Sequence, residues 1–223
     1  MKINEYFGDK VYPGRIVILG KTPSGEPLAA YAIMGRSENS RNRIFIKENG
    51  ILKTVPKDES KCTDPSLIIY NAVREFGTKL IVTNGDQTDT ICELINKQFT
   101  FEQALRTREF EPDEPNYTPR ISGIINFHTG YFNYAISIIK TADGNKDSCE
   151  RFSFAYEAPV AGVGHLIHTY QDEKLTSFIG EPIKFETSDD LEIFANDLWN
   201  SLNTDNKISL YVRIGKNDKI INK

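Results

Sequence analysis

Two short apolar runs set around a turn limit the fold of this chain more than any other feature. Arg15–Gly20 and Leu28–Met34 flank Thr22-Pro23-Ser24-Gly25. Runs of this length, bounded by Gly and Pro, read as β-strands joined in a hairpin. A second hairpin follows at once: Arg43–Ile46 and Ile51–Val55 flank Asn49-Gly50, two residues that tolerate positive φ. A polar loop, Gly35–Arg43, connects the two. The ten Tyr and thirteen Phe agree with abundant β-structure, because aromatic side chains suit a pleated, half-buried surface.

Helices enter later. Asp64 as N-cap and Pro65 at the first helical position predict a helix through Leu67, Ile68, Val73 and Phe76 that stops at Gly77 and carries Tyr70-Asn71. Lys79–Thr83 reads as a strand, and Asn84-Gly85-Asp86 turns it into a helix opening near Thr88-Asp89-Thr90. A short helix over Phe101–Arg108 is capped by Thr100, and a loop rich in Pro and acids, Glu111–Pro119, follows. Strands are predicted over Ile121–Phe127, Tyr131–Lys140, Phe152–Tyr156 and Gly164–Tyr170. The last helix begins at Ser188–Leu191 and places Leu191, Phe194, Leu198 and Leu202 on one face. Ile208–Ile214 closes the chain as a strand. Grouped strands with helices inserted late indicate an α+β layered fold, read as one domain over 1–223.

The bulk properties narrow the function. A net charge of -4 gives no support to nucleic-acid binding, which usually needs a clustered positive field. The three cysteines, Cys62, Cys92 and Cys149, are widely spaced and form neither a zinc motif nor a disulfide framework. The polar start at Met1–Glu5 lacks the apolar run of a signal peptide, and no apolar stretch approaches the ~20 residues that span a bilayer. The expectation is a cytoplasmic protein with no membrane and no nucleic-acid partner.

Several groups of residues suit chemistry. Arg36, Arg41 and Arg43 lie in one loop with Ser and Asn donors and suit a phosphate, or else form a solvated connection. Asn84-Gly85, between a strand and a helix, lets backbone amides approach an anion or carbonyl oxygen, or is a plain capped turn. The loop from Glu111 to Arg120 sets carboxylates beside a Tyr and an Arg, able to supply proton-transfer groups or simply to face water. His165 and His168 stand at i, i+3, but no third ligand is near in sequence, and catalytic zinc normally takes three. No metal and no cofactor is expected.

Taken in order, Tyr12-Pro13-Gly14-Arg15, Gly35-Arg36-Ser37 with Arg41, Tyr70-Asn71, Thr83–Thr90 and Thr118–Ile121 resemble the archaeal-type inosine monophosphate cyclohydrolase family. The N-G-x-x-T-D-T and T-P-R-I segments are the most specific. The likeness is strong from Val11 to Ile125 and traceable to Tyr170. It implies a four-layer αββα fold similar to the N-terminal nucleophile hydrolases, and a homodimer or homotetramer. It also implies a metal-free reaction, in which 5-formamidoimidazole-4-carboxamide ribotide loses water to give inosine monophosphate. Met1 and a polar extension precede the first strand, so an N-terminal Ser, Thr or Cys nucleophile is not expected. The chain departs from the family in that extension, in the longer region Asp143–Gly164 and in a longer C-terminal end.

Ring closure needs the carboxamide nitrogen held near the formyl carbon, a stabilised formyl oxygen and a proton carrier. On the resemblance, Arg36, Arg41 and Arg43 take the 5′-phosphate, and Asn84 and Gly85 orient the formyl or carboxamide group. Glu111 is the first candidate for proton transfer and Tyr70 the second. Asn71, Asp89, Thr118 and Arg120 complete the pocket. The competing readings are a non-catalytic purine-nucleotide-binding module, and an amidohydrolase or cyclohydrolase acting on a related heterocycle.

Overall fold

The computed structural model describes residues 1–62 and 68–223. Its first elements are helix α1 (Ile3–Phe7), strands β1 (Arg15–Lys21) and β2 (Pro27–Met34), and helix α2 (Glu38–Arg41). Strands β3 (Ile44–Glu48), β4 (Ile51–Val55), β5 (Tyr70–Phe76) and β6 (Lys79–Thr83) follow. Next come helices α3 (Gln87–Asn96) and α4 (Phe101–Leu105), then strands β7 (Arg120–His128), β8 (Tyr131–Ala142), β9 (Asn145–Tyr156), β10 (Val163–His168) and β11 (Ile183–Glu186). Helix α5 (Leu191–Ser201) and strands β12 (Lys207–Ile214) and β13 (Asn217–Asn222) complete the chain.

The strands form two antiparallel sheets, one six-stranded in the order β11-β10-β1-β2-β12-β13 and one seven-stranded in the order β3-β4-β5-β6-β7-β8-β9. Both predicted hairpins are present, but they fall in different sheets. Asn49 and Gly50 turn the second one with φ of 51° and 77°.

Alternation sorts the β1–β2 side chains into two cores. Val17, Leu19, Ala29, Tyr31 and Ile33 face the other sheet and pack with Leu52, Val73, Leu80, Val82, Ile121 and Ile125. Ile16, Ile18, Leu28, Ala30 and Ala32 face outward against Ile3 and Phe7 of α1 and Phe194, Ala195 and Leu198 of α5. Both faces of these strands are covered, which is why their sequence is an unbroken apolar run. On the far side of the second sheet, Ile91, Cys92, Phe101, Ala104 and Leu105 of α3 and α4 pack on Ile81, Ile124 and Ile139. Burying one such aliphatic side chain contributes about 1.5–3 kcal/mol, so each helix is held chiefly by its apolar face.

One predicted helix is corrected. Tyr70–Phe76 is strand β5, paired with β4 on one side and β6 on the other. Gly77, read as a helix stop, has φ of 57° and sits in the two-residue loop between the paired Phe76 and Lys79. The proposed start of that helix, Asp64-Pro65, lies outside the described residues. Helix α1, strands β11 and β13 and a short 3-10 turn at Glu59–Lys61 carry no prior expectation. The Gly35–Arg43 loop contains α2, whose first turn is capped by the Ser37 side chain. Thr100 caps α4 as expected, accepting from the Gln103 amide at 3.2 Å. Among the described residues, no helix is long and apolar enough to cross a membrane.

Candidate active site

At one end of the sandwich, five separate stretches converge on a cavity of about 380 Å³. Tyr12 and Arg15 come from the start of β1, and Arg36, Ser37, Asn39, Ser40 and Arg43 from the β2–β3 connection. Ile68 precedes β5; Glu111, Asp113, Asn116 and Thr118 belong to the loop before β7; and Tyr170 and Leu175 follow β10. The volume falls in the range of small-molecule sites. A larger groove of about 800 Å³ adjoins it, lined by Phe152, Phe154 and Ile179 among others. Its one inward lysine, Lys140, is already bonded to the Phe178 carbonyl at 2.9 Å and to Glu150 at 3.1 Å. The smaller cavity is where unpartnered polar groups gather.

Arg43 is one of these groups. It is buried, its Nε donates to the Ser40 carbonyl at 2.9 Å, and its Nη1 is buried with no hydrogen-bond partner among the described residues. Burial, and then the charge of neighbouring Arg15, lowers its pKa. The two guanidinium groups therefore crowd one another, and an anion between them would relieve both burial and repulsion. Arg15 belongs to the Tyr12–Arg15 motif, and nothing in its local sequence shows that the strand start is aimed into a cavity.

Glu111 faces the same space. Its backbone N–H donates to the Thr118 carbonyl at 2.9 Å, which pins the loop. Burial pushes its carboxyl up to about 7, and Arg15, Arg120 and Arg43 pull in the other direction without cancelling that effect. A carboxyl poised there can both accept and return a proton near neutral pH. Tyr70 stands behind the cavity wall, its hydroxyl 2.7 Å from that of buried Tyr31. Thr118 Oγ1 lies 2.6 Å from the Tyr170 hydroxyl and donates to Asp113.

Arg120 and Gly85 border this centre. Arg120 Nη1 donates to Asp86 Oδ1 and Gln87 Oε1, each at 2.7 Å, and its Nε donates to the Glu109 carbonyl at 2.9 Å. It thus ties the N-terminus of α3 to the Glu111 loop and to β7. Gly85 is packed so closely that a Cβ there would lie 2.6 Å from Gln87 Oε1, 2.7 Å from Arg120 Nη1 and 3.2 Å from Glu111 Oε1. Gly85→Ala is accordingly expected to push Arg120 and Glu111 apart. A lowered melting temperature together with reduced turnover is the outcome to look for, with a cost of about 1–3 kcal/mol for overpacking.

Of the remaining expected residues only Arg36 lines the cavity. Asn84 is bonded into the fold, donating to the Pro119 carbonyl at 2.9 Å and accepting from the Gln87 side chain and the Ile121 amide. Arg36 sits at the rim, stacked over Tyr12 at 4.6 Å and donating to the Glu173 carbonyl. Arg41 turns away from the cavity to the Gly35 carbonyl and Asn206. Asn71 donates to both oxygens of Asp89, which Arg74 also holds at 2.8 Å, and this cluster does not line the cavity. His165 and His168 have different partners, the Tyr134 hydroxyl for the first and the Tyr6 hydroxyl and Tyr170 carbonyl for the second.

A small site with a buried and a half-buried guanidinium group beside a carboxyl poised near neutrality, set on an α+β sandwich, has the makings of an enzyme for a small anionic substrate. The chain belongs to the IMP cyclohydrolase-like family, whose model matches residues 12–219. It is 28% identical over 185 residues to the IMP cyclohydrolase of Methanococcus aeolicus, covering 79% of this chain and 91% of that protein. It is 31% identical over 164 residues to the IMP cyclohydrolase of Methanopyrus kandleri, covering 72% and 75%. A similar match, 31% over 126 residues, joins it to the protein of the same name from Methanocaldococcus jannaschii, covering 56% of this chain and 61% of that one.

Proposed function

We propose that this protein is an inosine monophosphate cyclohydrolase that closes 5-formamidoimidazole-4-carboxamide ribotide to inosine monophosphate. Its relatives carry that name, and one observation ties the chemistry to this chain: Glu111, its carboxyl pushed up to about 7, shares a cavity with Arg15 and Arg43. The carboxamide nitrogen attacks the formyl carbon, forming the new C–N bond. That nitrogen gives up one proton, the formamide nitrogen gives up the second, and the formyl oxygen leaves with both as water. Glu111 carries the first proton from nitrogen to oxygen. Arg43 and Arg15 face the oxygen as it gains charge, acting as fixed donors. Arg36 and the hydroxyl-rich turn Ser37–Ser40 take the 5′-phosphate at the rim. Tyr70 supports Arg15 and Arg43, while Thr118 and Arg120 hold the Glu111 loop.

Within this reading Asn84 and Gly85 shape the floor under Glu111, and Asn71, Asp89 and Arg41 brace the elements that carry the site. The helices on the two outer faces fit the αββα layering similar to the N-terminal nucleophile hydrolases. Function here rests on the cavity and not on that layering. The protein works as a homodimer or homotetramer in the cytoplasm.

The test is to incubate purified protein with the formylated ribotide and follow inosine monophosphate. Product formation is expected. No product, with inosine monophosphate still bound, would leave a nucleotide-binding module in its place. Sedimentation of the same sample reads the assembly state, and a monomer would remove that part of the proposal.

A further inference from the structure

We infer that the segment before residue 12 is part of the site's scaffold: Tyr6, acting through His168, is a positioning residue for the Tyr170 side of the cavity. This rests on the cavity being the nucleotide site. The family match begins at residue 12, so α1 and Tyr6 lie outside it.

The path can be followed atom by atom. His168 is completely buried at the end of β10, with Tyr6, Phe7 and Phe178 rings around it. Its Nδ1 is 2.8 Å from the Tyr170 carbonyl. A carbonyl only accepts, so Nδ1 carries the proton and Nε2 is bare. The partner of Nε2 is the Tyr6 hydroxyl at 2.6 Å, which therefore donates. Burial holds this imidazole neutral, with its pKa lowered to about 3, so the arrangement persists across the working pH range.

From Tyr170 the path continues into the cavity. The Tyr170 hydroxyl meets Thr118 Oγ1 at 2.6 Å, and the Thr118 carbonyl accepts from the Glu111 amide at 2.9 Å. The Tyr170 ring stacks on Tyr12, whose ring in turn carries Arg36. One buried imidazole thus links α1 to both the loop of the proton carrier and the rim residue assigned to the phosphate. Filling the same volume would need only an apolar side chain. A histidine with both nitrogens bonded fixes direction as well as volume.

Two variants separate positioning from simple support. Tyr6→Phe deletes the hydroxyl and keeps the ring. Ile3→Ala removes buried packing from the same helix and leaves the hydrogen-bonded path intact. Tyr6→Phe is expected to raise KM for the formylated ribotide about fivefold with kcat within about twofold, and to quicken amide exchange at Thr118 and Tyr170. Ile3→Ala is expected to lower the melting temperature without moving KM or those two amides. The inference is overturned if Tyr6→Phe leaves KM or both amides unchanged, or if Ile3→Ala shifts them equally. If the wild-type protein does not turn the substrate over, the proposed function fails. The exchange comparison then decides the scaffold inference by itself.

Discussion

Replacing Glu111 with Gln is expected to lower kcat by about a thousandfold while making the folded protein more resistant to heat at pH 8. The two effects share one cause. In the folded chain burial raises the Glu111 carboxyl from an ordinary 4.5 to about 7. Between those values the native state binds a proton that the unfolded state has released. Stability contributed by this group is therefore fully present below about 4.5 and is lost as the pH rises through about 7. At pH 8 the wild type carries a buried carboxylate and Gln carries no charge, a difference of about 3 kcal/mol. The wild-type rate at low substrate concentration should rise with pH through about 7 as the carboxylate forms, and Gln should abolish that limb. Full turnover by Glu111→Gln would remove Glu111 from the mechanism.

Arg43→Met is expected to cost about a hundredfold to a thousandfold in kcat/KM, with inosine monophosphate binding weakened much less. The Nη1 of Arg43 has no partner among the described residues, so its hydrogen-bonding capacity is available to a bound molecule. Methionine nearly matches the aliphatic stem and removes the charge, which ends its repulsion with Arg15. The melting temperature should hold or rise. Arg43→Lys should recover little, because an ammonium cannot reproduce the planar fork or keep the Ser40 bond at the same reach. Equal losses in substrate and product affinity with an unchanged kcat would make Arg43 a simple binding residue instead.

What could be read in the chain beforehand was local. The β1–β2 and β3–β4 hairpins, the Asn84–Asp86 turn and the Thr100 cap are all set by residues a few positions apart, and each is present. Tyr70–Phe76 is a strand and not the expected helix; its apolar spacing suits either. What decides the matter is its pairing on both sides, Tyr70 with Thr54 of β4 and Val73 with Val82 of β6. The site was legible by residue type but not by direction. Arg36, Arg41 and Arg43 share one loop, yet one reaches the rim, one turns away and one is buried. Arg15 looks like the polar start of a strand until β10 and the Glu111 loop close over it. Neither β13 nor α1 announces itself: β13 is short and only half-buried, and the five-residue α1 gains its burial from α5 and the first sheet.

Residues from Tyr12 to Leu175 meet in the cavity, which is lined by the start of β1 and by the connections that lead into β3, β5 and β7 of the other sheet. No local piece of the chain contains a usable fraction of the site. During synthesis the first hairpin waits for a wall that arrives some 150 residues later, so activity cannot precede near-complete folding. A ligand seated there would touch connections of both sheets and add its binding free energy to the folded state. Substrate supply and the abundance of the folded enzyme are in this way coupled by mass action.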